Sequence, residues 1–109
     1  MPLLRRRKRT MLEKLKTEID LIARHLEILR AVAAHQPIGI MKLAEVLGLP
    51  YHRVRYSLRV LEGMGYIKAS PAGAVATERA LVFLDRLDDD LDAMIALLEG
   101  MRRSGSHNV

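Results

Sequence analysis

Apolar residues recur at three- and four-residue steps in four stretches of the chain, the signature of helices with one buried face. Leu12, Leu15, Ile19, Ile22, Leu26, Leu29 and Ala33 form the first stripe. Thr10 followed by Glu13 fits a capping box at its start, and Gln36-Pro37 breaks it, so the pattern predicts a helix reaching Ala34 or His35. Its first turns extend beyond the core of a small domain, where a partner helix can meet them. Ile38 and Ile40, flanking Gly39, predict a very short strand. Met41–Leu47 and Tyr51–Glu62 are the next two helices, with Leu43, Ala44, Leu47, Val54, Leu58 and Leu61 as their inner faces. Between them Gly48 suits a C-cap, and Pro50 suits the first turn of the following helix, where its missing N–H is harmless. Met64-Gly65 ends the third helix. Tyr66–Ser70 and Ala74–Ala76 then read as two strands joined at Pro71-Ala72-Gly73.

The last stripe is the most regular. Thr77, which suits an N-cap, is followed by Ala80, Leu84, Leu87, Leu91, Met94, Leu98 and Met101 in alternating steps of three and four. Three heptads with apolar a and d positions point to a coiled-coil dimer through Ala80, Leu84, Leu87, Leu91, Met94 and Leu98. The alternative is a helix folded back wholly onto its own domain. Asp85, Asp88, Asp89 and Asp92 fall on or beside the solvated faces. Gly100 begins the end of this helix, leaving 102–109 as an unstructured tail.

The third helix carries a second pattern on its outer side. His52, Arg55, Tyr56 and Arg59 fall at i, i+3, i+4 and i+7, a row that cannot face the same core as Val54 and Leu58. A compact helix pair presenting a basic, hydrogen-bonding face has the shape and chemistry to enter a DNA major groove. Arg55 and Arg59 are the candidates for base edges, since arginine bonds bidentately to guanine O6 and N7. Arg53, off the central row, suits phosphate; Tyr51, His52 and Tyr56 can bond phosphate or pack against a sugar or base methyl. The competing reading is a solvated helix face, with Tyr56 half-buried.

Charge sharpens this picture through its distribution rather than the net +5. Residues 1–16 sum to +6 and 50–76 to +3, whereas 77–99 sum to −5. That polarity orients a molecule against a polyanion with its acidic end facing away. Arg5, Arg6, Arg7, Lys8 and Arg9 have little to order them and read as a flexible arm over 1–10, suited to phosphates or a minor groove. A solubilising tail is the plainer alternative. With no cysteine in the sequence, disulfides and thiolate metal sites are excluded. His25 and His35 are spaced as boundary or surface histidines, and no cofactor or metal site is expected. No apolar run approaches a membrane span, and the basic N-terminus lacks the apolar region of a signal peptide. Carboxylates are not paired around a cleft, and no phosphate loop or nucleophile–base set is present, so an enzyme is not expected.

The order helix, helix, helix, hairpin, long helix is that of a winged helix-turn-helix, a mainly α (α+β) fold. Through Ile28-Leu29, IMKLAEVLGLP, VRYSLRVLEGMGYI and Thr77-Glu78, residues 17–99 resemble small archaeal winged-helix transcriptional regulators with a C-terminal antiparallel coiled coil. The chain is more distantly similar to regulators of the multiple-antibiotic-resistance and PadR types. The resemblance implies a winged domain over 11–76, a dimerisation helix over 77–101, and a recognition helix that enters the wing through LRVLEGMGYI. Two departures stand out. Ala80 occupies the place of a glycine common after the second wing strand, and the wing tip has no basic residue, Lys68 being the nearest.

These readings converge on a cytoplasmic, nucleoid-associated homodimer that binds double-stranded DNA sequence-specifically as a transcriptional regulator. Regulation would come through promoter competition, a small ligand or a protein partner. An architectural DNA binder with little sequence preference and a winged-helix protein-docking module are the alternatives.

Overall fold

In the computed structural model, residues 8–107 are described, with side chains for 8–102. The element order is α1 Met11–His35, α2 Ile40–Leu47, α3 Tyr51–Gly63, β1 Ile67–Ser70, β2 Gly73–Ala76 and α4 Glu78–His107. This is a mainly helical α+β chain with one two-stranded antiparallel sheet. None of the helices, among the described residues, is long and apolar enough to cross a membrane.

Each helix starts and stops for a local reason. Thr10 and Glu13 exchange hydrogen bonds as a complete capping box, so Thr10 belongs to α1 and not to a flexible arm over 1–10. Arg9 is also turned back, donating to the Glu13 carbonyl and the Thr17 hydroxyl. Arg5, Arg6 and Arg7 lie outside the described residues. α2 and α3 close in the same way. Leu49 N–H bonds Ala44 O at 3.1 Å around Gly48 (φ 65°), and Tyr66 N–H bonds Leu61 O at 2.9 Å around Gly65 (φ 83°). Both are Schellman closures, in which glycine takes the left-handed conformation without a Cβ penalty. Pro50 is the N-cap of α3, with extended ψ, and not part of its first turn. A residue preceding the helix can adopt that ψ, and the carbonyl of Pro50 already accepts from Arg53 and Val54.

The core gathers Ile28, Leu29 and Val32 of α1, Leu43 of α2, Val54 and Leu61 of α3, Ile67 of β1 and Ala80 of α4, all nearly solvent-free. Ala44, Leu47 and Leu58, the rest of the inner-face pattern, pack against it. Fully burying a leucine or isoleucine is worth about 1.5–3 kcal/mol, so these few side chains supply much of the driving force. The hairpin pairs Ile67 with Ala76 and Ser70 with Gly73. Ile38 forms a bridge to Ala74 on the open side of β2 and is buried, but Ile40 begins α2 instead of extending a strand. The Gly39 carbonyl accepts from Leu43 N–H as an N-cap carbonyl does, which turns Ile40 into the helix. Gln36 Oε1 accepts the next outward N–H of β2, that of Ala76, at 2.7 Å.

α4 leaves the domain. Thr77 caps it through Ala80 N–H and also donates its hydroxyl to Gly65 O at 2.7 Å. The Tyr66 ring packs on Phe83 at 4.9 Å, with Arg79 over its face. The heptad residues then divide. Ala80 and Leu87 are buried within their own chain and do not face outward, whereas Leu84 is half-buried, packed on one side against its core. Leu91, Met94 and Leu98 are exposed. A 3-4 repeat specifies one face of a helix but not which molecule covers it. The helix also continues through Gly100 to His107 where the sequence pattern places a tail from 102. One interior glycine costs about 1 kcal/mol relative to alanine, too little to stop a helix already established. A radius of gyration of 18.0 Å exceeds the roughly 13 Å of a compact chain this long, which reflects this projection.

Candidate nucleic-acid interface

α3 is built with two opposed faces. Val54, Ser57 and Leu61 are buried on one side; His52, Arg55, Tyr56 and Arg59 are exposed on the other. These four line a shallow depression of about 290 Å³. The i, i+3, i+4, i+7 row is thus one surface, with two guanidiniums, an imidazole and a phenol around a common floor. The start of α3 has no side-chain cap, so its first N–H groups add donors at the same end as His52.

The remaining candidates are not all gathered there. Tyr51 is exposed but does not line the depression. Arg53 faces a neighbouring groove beside α1. Lys68 is exposed on β1, and Lys8 and Arg9 are exposed ahead of α1. Tyr56 is about half exposed, at 49%, with its ring 6.0 Å from that of His25.

Sequence reasoning missed what lies under Tyr56. Ser57 is the one buried polar residue among those described. Arg24 Nε donates to its Oγ at 3.3 Å, and His25 Nδ1 lies 2.8 Å from the same atom. Burial, and then the charge of Arg24, lower the pKa of His25 from 6.5, favouring the neutral ring. The signal was present in the spacing: Ser57 is three residues after Val54 and four before Leu61, on the apolar row. A polar side chain in that position requires a partner.

Outside α3, apolar side chains are exposed on the first half of α1 (Leu12, Ile19, Ile22) and the second half of α4 (Leu91, Met94, Leu98). Among the described residues no group of three or more His, Asp or Glu is placed to hold a metal ion. No protein-family model matches the sequence, and no curated protein matches it.

Proposed function

We propose that α1–α3 and the β1–β2 hairpin act as a winged helix-turn-helix, and that the protein is a homodimeric, sequence-specific regulator of transcription. The observation that carries this reading is the face of α3: His52, Arg55, Tyr56 and Arg59 exposed around one depression, opposite a buried row. α3 is narrow enough to enter a major groove about 12 Å wide, where Arg55 and Arg59 bond base edges. Each bidentate contact is worth about 1–3 kcal/mol of discrimination. His52, Tyr56 and Tyr51 bond the flanking backbone, and Lys68 lies on the wing.

The exposed apolar halves of α4 and α1, which a second copy would cover, support the dimer. Two copies of α3 related by a two-fold axis then meet half-sites about 34 Å apart, or a multiple of that. The acidic first half of α4 keeps the other side of the molecule away from phosphate.

Fluorescence-anisotropy titration of a duplex from the gene's own upstream region, against a randomised pool and at two salt concentrations, tests the reading. Tight upstream binding, lost in Arg55→Ala/Arg59→Ala, supports a sequence-reading regulator. Equal binding to both duplexes, unchanged in the variant, replaces it with an architectural role. Absence of binding to either leaves protein docking as the use of this fold.

A further inference from the structure

We propose that Arg24 and Arg30 of α1, with Arg53 of α3, form a second surface that holds duplex phosphates beside the base-reading face. The proposal rests on the duplex-binding reading above and adds to it a contact strip on a different helix.

A surface groove of about 880 Å³ runs between α1 and the entry to α3, and all three arginines line it. Two carboxylates share the groove. Asp20 is ion-paired with Lys16 at 3.1 Å, which leaves Glu27 against three guanidiniums. The balance favours an anion. Arg24 is also preorganised: its Nε–H is fixed on Ser57 Oγ, and the guanidinium retains its other four N–H donors. Ordering achieved in folding is not lost again on binding.

The groove adjoins the depression on α3. Arg53 follows His52 in the first turn of that helix, and Arg24 precedes His25, whose ring meets Tyr56 at the edge of the depression. Packed helix axes lie about 8–10 Å apart. With α3 inserted in a major groove about 12 Å wide, α1 lies above the groove wall, where phosphates are within reach and base edges are not. Guanidinium matches phosphate there by paired N–H donors. These residues therefore add affinity without adding sequence choice.

The test is the dependence of duplex affinity on salt, read as the slope of log binding constant against log salt concentration. In Arg30→Ala the slope becomes shallower by about 1, and in Arg24→Ala/Arg30→Ala by about 2, while the upstream-to-random affinity ratio stays fixed. Glu27→Gln tightens binding to both duplexes, a gain that a folding defect does not produce. Unchanged slopes together with no gain in Glu27→Gln overturn the proposal and leave the base-reading face intact. A loss confined to the upstream duplex overturns it as well, because the arginines would then be reading bases. Wild-type protein that binds no duplex overturns the regulator reading itself, and this strip with it.

Discussion

His25 Nδ1 lies 2.8 Å from Oγ of Ser57, joining α1 to the inner face of α3 across 32 residues of sequence. Arg24 has donors only, so its Nε–H occupies a lone pair of Ser57 Oγ. The hydroxyl proton and the second lone pair of Ser57 remain, and the tautomer of His25 sets whether Nδ1 accepts from the serine or donates to it.

A pH dependence follows, with a definite sign. The folded-state pKa of His25 lies below its ordinary 6.5, so between the two values the unfolded chain binds more protons. This contribution to stability is complete above 6.5 and is lost as pH falls through the folded pKa. Urea midpoints should therefore drop from about pH 7.5 to about pH 5, and His25→Gln should flatten that part of the difference. An unaltered pH profile in His25→Gln would show that the ring does not titrate differently on folding.

Among the described glycines, Gly73 is the one least able to accept a side chain. Its φ is +133°, and an added Cβ would stand 2.5 Å from the carbonyl carbon of Ile38. Gly73→Ala should destabilise the protein by about 2 kcal/mol or more, since both the dihedral and the Ile38–Ala74 bridge must give way. Gly63, helical and with open space around it, is the control: alanine there should stabilise by about 0.5 kcal/mol. Urea denaturation of the two variants checks both signs.

The exposed half of α4 makes a third expectation. If Leu91 and Leu98 face a second copy, Leu91→Glu/Leu98→Glu should weaken self-association by at least about 100-fold, the equivalent of losing one or two buried leucines. Circular dichroism and thermal melting should still show a folded α1–α3 domain, because its core does not use those residues. Sedimentation equilibrium reads the association. A variant that sediments as the wild type does would remove α4 from the interface.

Much of the fold was legible because local chemistry and tertiary packing agree. Thr10 with Glu13, Gly48 after Leu47, and Thr77 before Glu78 each mark a helix end that the backbone itself requires. The outward row on α3 was legible from period alone, since Val54 and Leu61 claim the other side. What stayed hidden depended on partners distant in sequence. Ile38 pairs with Ala74, a residue 36 positions away, and no local pattern assigns that bridge. Ser57 reads as a small interruption of an apolar stripe until Arg24 and His25 are placed over it. The heptads of α4 showed a face but not the point along it where the chain's own domain ends.

That point has a consequence for how the chain tolerates changes in length. Leu84 packs against the core, Leu87 is buried, and Leu91, Met94 and Leu98 continue the same stripe on one uninterrupted helix. The bearing of the outer residues around the helix axis is therefore set by the inner ones, at about 100° per residue. Inserting two residues between Leu87 and Leu91 would swing the outer stripe to nearly the opposite side, whereas seven would return it almost to its starting bearing. Spacing in this linker is in effect angular information: it aims whatever meets the end of α4 relative to the face of α3.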